Sequence, residues 1–344
     1  MQKHTYTFIL LLLLSGCNHQ IHQQQFYIFG TLVGISIWGV SEQKASQAIN
    51  TIAKDFQTMH HNWHAWQESP LTDLNRAIAA GHVWTITEPS LLPLLKKSKH
   101  LYNQSDGLFN PAIGQLIKLW GFHSDDLSND FIPPSPEKIA KLVALAPSMD
   151  DVHIEGNQIY STNRGIQLDF GAFAKGYAVD LAIEKLRQLG VQNAIINAGG
   201  NLKAIGKKGD KPWLIGIRHP NGTDVLAAIA VSGEESVISS GNYERFREYE
   251  GVRYSHIIDP RNGKPAQGLS SVTVIARSGA LADAASTALT VAGLQDWHRI
   301  ARQMGIKYVM LVDEKGIIYV NPAMAKRVQF PADKKPHIIV SKHL

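Results

Sequence analysis

A single cysteine, Cys17, stands among 344 residues. No disulfide can therefore close within the chain, and no further thiol is present to act as a nucleophile or to build a zinc cluster. There is no G-x-x-x-x-G-K-[ST] run and no G-x-G-x-x-G leading from a strand into a helix, which excludes the P-loop and the dinucleotide fingerprint. Basic residues are scattered, and the formal net charge is only +5, so nothing resembles the basic stripe of a nucleic-acid binder. Neither a repeat nor a Gly/Ser linker divides the chain.

The N-terminus sets the compartment. Lys3 and His4 precede the apolar run Phe8 to Leu14, which is shorter than the ~20 residues needed to span a bilayer and has the form of a signal peptide. Leu14-Ser15-Gly16-Cys17 resembles a lipobox, in which cleavage leaves a lipidated cysteine. Residues 1–16 are thus expected to be a lipoprotein signal peptide, and 17–25 the acylated cysteine and a polar tether. Residue 18 is Asn rather than an inner-membrane retention aspartate, which favours the outer membrane, with the protein facing the periplasm.

The rest reads as one α+β domain over 26–330, with helices packed on a largely antiparallel sheet, followed by a tail at 331–344. A strand pair or long strand spans Phe26 to Val40. Apolar residues at helical spacing predict helices at 42–61, 89–104, 111–120, 136–145, 174–189, 280–292 and 296–304. The proline-rich stretch 125–136 reads as a loop.

Four features carry chemistry. In Leu168 to Asp180, a carboxylate (Asp169), two glycines and Lys175 stand at the mouth of a helix, where backbone can approach a ligand and anionic groups are favoured. This suits a phosphate or pyrophosphate, or else is a strand-to-helix turn with a surface lysine. Asp283 and Thr287, four apart in an alanine-rich helix, project from one face and offer oxygen ligands to a hard cation such as magnesium; otherwise that helix is kept narrow for packing. His256 precedes a P-x-N-G turn and has a pKa range suited to a general base, or is a structural hydrogen-bond partner. Gly107 to Pro111 and Trp120-Gly121-Phe122 line a flat ring or fill the core. The His60-His61-Asn62-Trp63-His64-Ala65-Trp66 segment has no convincingly spaced acidic partner for zinc.

In this order, the segments from Gly30-Thr31 to Asp313 resemble the ApbE family of FAD:protein FMN transferases. They include Ser69 to Asn75, Gly107 to Pro111, Asp169 to Asp180, Asn197 to Leu202, Ser240 to Arg245, His256 to Pro265 and Ala282 to Leu289. The resemblance implies an enzyme that splits FAD, moves FMN onto a threonine of a partner flavoprotein, such as a respiratory or electron-transport subunit, and releases AMP. Ala172 (through its carbonyl), Asp283 and Thr287 match magnesium ligands. Leu108, Phe109, Asn110, Asp169, Lys175, Ile257 and Ile258 match flavin-nucleotide contacts, and His256 matches the residue that activates the threonine. Asn110 and Asn242 replace common aspartates, and Trp63-His64-Ala65-Trp66 replaces a Ser-x-Tyr element, so either tryptophan could supply its ring contact. FAD hydrolysis to FMN and AMP, and flavin binding without catalysis, remain open alternatives.

Overall fold

Tight turns between β-prone runs set the topology. The computed structural model describes residues 20–124, 130–220 and 222–344; the signal peptide and Cys17 lie outside these residues, as does part of the 125–136 loop. The first hairpin, Ile21–Ile28 with Thr31–Trp38, turns at Phe29-Gly30, both at positive φ. It forms one edge of a nine-stranded sheet, which continues in chain order through Asn193–Ala198, Asn201–Ile205, Glu235–Gly241, Leu269–Ala276, Tyr308–Asp313, Ile318–Val320 and Ile338–Val340. Every neighbouring pair is antiparallel except the last.

The described helices are α1 (Glu42–Asn62), α2 (Pro70–Ala80), α3 (Leu91–Gln104), α4 (Gly114–Leu119), α5 (Pro136–Val143), α6 (Ala174–Gln188), α7 (Gly279–Gln303) and α8 (Pro322–Ala325). Helices α1, α6 and α7 bury their apolar sides on one face of the sheet. A three-stranded sheet of Trp213–Arg218, Val225–Val231 and Val328–Gln329 seals the other face over Ala204, Val237, Ile275 and Met310. Sheet and helices thus have one core on each face, as the α+β reading requires.

Four details differ from the sequence reading. The first strand begins at Ile21, inside the expected tether, where Ile21 pairs with Trp38. The 331–344 segment is not merely a tail, since Ile338–Val340 adds a parallel strand to the sheet edge. The helix expected over 111–120 begins only at Gly114, because Ala112 N–H donates to Asn110 Oδ1, its carbonyl accepts from Gln167 N–H, and Gly114 N–H donates to the Gln167 carbonyl instead. Helix α2 was not anticipated. The two helices expected at 280–292 and 296–304 do occur, joined across Gly293, whose φ of 63° is non-helical.

On the strand that also carries Asn201, Lys203 lies buried between Asp180 (2.6 Å) and Glu234 (3.0 Å). Burial pushes the Glu234 carboxyl up, but Arg187, Lys203 and Arg277 outweigh it and hold the group at about 2, below its ordinary 4.5. A depressed acid stabilises the fold above pH 4.5, and that contribution is lost as pH falls toward 2. The arginine partners are substantially exposed, so after screening the contribution is on the order of 1–2 kcal/mol. Glu234→Gln is expected to lose that amount in urea unfolding at neutral pH, and the gap from wild type should close on acidification.

Candidate active site

Helices α6 and α7 cross in antiparallel register with glycine at the contact. A Cβ on Gly176 would fall 2.4 Å from the Gly279 carbonyl oxygen, and one on Gly279 would fall 2.5 Å from that of Gly176. Only backbone fits there, so the helices approach closely enough to exchange polar contacts. Asp180 caps the start of α7, accepting from Gly279 N–H (2.8 Å), Ala280 N–H (3.1 Å) and the Ser278 hydroxyl (3.0 Å). One turn earlier on α6 and one turn later on α7, Gly176 N–H donates to Asp283 Oδ2 at 2.9 Å. Thr287 follows Asp283 by one turn on α7, while Ala172 stands in the turn just before α6, which begins at Ala174.

The turn between Asn193–Ala198 and Asn201–Ile205 completes this corner. Gly199 and Gly200 have φ of 58° and 88°, and a Cβ on Gly199 would overlap Thr31 Oγ1 at 2.3 Å. The turn presents Asn201 Nδ2 to Asp283 Oδ2 at 2.8 Å. Both donors take the same oxygen, so neither engages Oδ1. Ser240 and Ser286 hydroxyls, 2.6 Å apart, tie α7 to the neighbouring strand.

Asp283 is buried without an ion-pair partner among the described residues. Burial pushes its carboxyl up to about 6, while Lys175, the Gly176 N–H and Asn201 pull it back. A buried carboxylate short of positive charge, with the Thr287 hydroxyl one turn along the same helix, fits a hard cation that takes few protein oxygens and completes its shell with ligand oxygens. Glu244 keeps an exposed surface. Burial of its carboxyl among protein pushes it up, and so does Asp283, against Lys175 and Arg218.

His256 is half-buried by accessible surface but likewise crowded by protein. Burial pushes its imidazole down, toward about 4, with Lys175 and Arg245 acting in the same sense. The ring is therefore neutral at physiological pH. Its Nδ1 lies 2.9 Å from the Arg245 carbonyl oxygen. A carbonyl only accepts, so Nδ1 carries the proton and Nε2 keeps the basic lone pair.

Asp169 Oδ1 accepts from Gly171 N–H at 2.7 Å and Oδ2 from the Trp66 indole at 2.9 Å. Lys175, in the first turn of α6, reaches back toward the Gly171 carbonyl (3.4 Å). The other matched positions are mostly buried. Phe109 is fully enclosed against Phe173, with its N–H and carbonyl both bonded to Ser105 Oγ, and Leu108, Ile257 and Ile258 are nearly enclosed. Asn110 spends its amide on the Pro147 carbonyl and its oxygen on Ala112 N–H.

The two tryptophans separate. Trp63 is buried, stacked on Tyr177 and bonded to Ser90, whereas Trp66 is at Asp169 and beside His123. His64 Nδ1 accepts from Trp66 and Gln67 N–H and so fixes that turn. Asn201 and Glu244 lie in segments singled out in the sequence, but neither was assigned a role there. The signal for Asn201 was the adjacent Gly-Gly turn; Glu244 offered none beyond its polar neighbours.

The ApbE family model matches residues 29–310. A FAD:protein FMN transferase of Rhodobacter capsulatus is 42% identical over 90% of this chain, which spans 60% of that protein's length. One from Klebsiella pneumoniae is 30% identical over 94% of this chain and 98% of its own. The crystal structure of an ApbE protein from Thermotoga maritima superposes with a TM-score of 0.81 at 30% identity, covering 90% of this chain and 99% of that one. The apo form of the Pseudomonas stutzeri flavinyl transferase ApbE gives 0.77 at 27% identity, over 90% and 97%.

Proposed function

The chain belongs to the ApbE family, and on that footing we propose that it is a magnesium-dependent FAD:protein FMN transferase, which attaches FMN through a phosphoester to a threonine of a partner flavoprotein and releases AMP. The observation that supports this reading is the close α6–α7 contact, where Gly176 N–H, next to Lys175, bonds Asp283, with Thr287 one turn further along α7.

Ala172 (by its carbonyl), Asp283 and Thr287 would hold magnesium, which when bound supplies positive charge to the diphosphate and polarises phosphorus. Lys175 adds a second positive charge at the helix mouth, where backbone N–H groups also favour phosphate. Asp169, Asn110, Leu108, Phe109, Ile257 and Ile258 shape the flavin-nucleotide cleft. His256 Nε2 takes the threonine proton as that oxygen forms a bond to the FMN phosphorus. The phosphorus–oxygen bond to AMP breaks, and AMP leaves with the electron pair. Water in place of threonine would give FMN and AMP. The acylated Cys17 would hold the enzyme on the periplasmic side of the cell envelope, with the outer membrane favoured.

The test is incubation of the protein with FAD, magnesium and a candidate acceptor, read by the acceptor's intact mass. A mass gain of one FMN phosphoester, abolished by chelation, is expected; AMP release that is indifferent to acceptor would instead indicate hydrolysis. Trp66→Phe keeps a ring but removes the indole donor to Asp169. It should weaken FAD binding roughly tenfold, as for a lost hydrogen bond to a charged group, while Trp63→Phe leaves FAD affinity near wild type in the same fluorescence titration.

A further inference from the structure

The strands next to the N-terminus have two dissimilar ends. At one lie Thr31, Gly199, Gly200 and the N-terminal turn of α6, which carries Lys175. At the other lie Ile21, its partner Trp38, the start of α1 and the end of α6. The strand Thr31–Trp38 and helix α6 both run the full distance between them, about 23 Å at ~3.3 Å per strand residue.

The far end carries an unusual turn. Lys208 and Lys211 form an isolated antiparallel bridge with reciprocal backbone bonds of 2.9 and 3.2 Å. Directly opposed residues face the same way, and like charges so placed repel. Lys207 precedes the pair, with its N–H on Asn193 Oδ1 (2.9 Å), and all three lysines are exposed. The turn packs against an aromatic, since a Cβ on Gly209 would lie 3.5 Å from Trp38 Cζ2. Lys44 lies nearby, bonded to the Gly190 carbonyl at the end of α6. Glu42 and Asp210 are the acids beside them, and Glu234, close by, is already matched by three cations.

Cys17 is separated from Ile21 by three residues, so chain reach alone confines it to within ~14 Å of Ile21, whatever path it takes.

We propose that the end formed by Lys44, Lys207, Lys208, Lys211 and Trp38 is a membrane-docking face for anionic phospholipid headgroups, which seats the acylated protein with its active cleft directed away from the bilayer. The inference rests on the lipid-anchor reading of Cys17 for the source of its proximity, and on the charge and the aromatic for its chemistry. Lysines near an anionic surface are attracted to it, an attraction that fades within a Debye length. Trp38 suits the headgroup layer. The cleft would then stand about one strand length above the lipid, and the target threonine would have to be on a part of the acceptor that projects from the membrane.

The test uses the acylated full chain on vesicles of phosphatidylcholine alone or with phosphatidylglycerol. Since Cys17 is capped by lipid, Asp210→Cys and Tyr27→Cys each accept a single fluorophore, one at each end. With phosphatidylglycerol, a headgroup-nitroxide lipid should quench the label at 210 on the order of threefold more than that at 27. Lys207→Glu/Lys208→Glu/Lys211→Glu should remove that difference. Equal quenching at both ends, or quenching insensitive to the lysines, overturns the proposal. Flotation of the Cys17→Ser chain separates the two readings: if it floats with phosphatidylglycerol but not with phosphatidylcholine, and no longer when the lysines are changed, the docking face holds without the anchor, and if it floats with neither, the anchor alone carries membrane binding.

Discussion

Asp283→Asn is expected to abolish FMN transfer, lowering the rate by roughly 10²–10⁴ through loss of several kcal/mol of charge stabilisation, while leaving the fold intact. The reason lies in how its oxygens are used. Gly176 N–H and Asn201 Nδ2 both donate to Oδ2, and an asparagine carbonyl oxygen can accept both. What is lost is the charge and the second oxygen.

The stability readout has a sign of its own. Burial raises the Asp283 carboxyl to about 6, so its ionised form at neutral pH opposes folding, and a neutral asparagine relieves that cost. Without magnesium, the variant should melt at or above the wild-type temperature. Wild type should gain stability on adding magnesium and the variant should not. Thermal melts with and without the ion, run beside the acceptor mass assay, check both halves. A variant that transfers FMN at near wild-type rate would remove Asp283 from the metal site.

How much of this was legible in the sequence depended on whether the signal was local. The periodicity of 42–61 and 174–189 gave α1 and α6 to within two residues, because each buries one apolar stripe. Helix α2 was passed over although Ser69 and Thr72 form a reciprocal cap with Pro70 behind it; its signal was capping chemistry rather than periodicity. The grouping of Ala172 with Asp283 and Thr287 rests on resemblance alone. No spacing within either segment announces that Gly176 N–H meets Asp283, since this depends on two glycines, Gly176 and Gly279, meeting across the fold. Asn201 and Glu244 were missed for the same reason: their roles are set by what a distant helix presents to them. The Lys208–Lys211 bridge was equally hidden, because a scattered charge count does not show which lysines share a face.

His256→Asn should slow FMN transfer by about 10²–10³, the scale of a lost general base, with FAD affinity nearly unchanged. Asparagine can still donate to the Arg245 carbonyl in place of Nδ1, whose 2.9 Å contact fixes the ring, but it has no basic nitrogen. Burial and the nearby Lys175 and Arg245 hold the wild-type imidazole well below its ordinary 6.5, so it is the free base at neutral pH. It pays for this readiness with weaker basicity, which suits a step whose difficulty is charge on the diphosphate rather than removal of the hydroxyl proton. His256→Ala removes the anchor as well and should cost more in transfer than Asn does, again with little change in FAD affinity. Single-turnover transfer and flavin titration on both variants separate the roles. Equal losses in affinity and rate would make His256 a binding or folding residue, and the proton would have to go elsewhere.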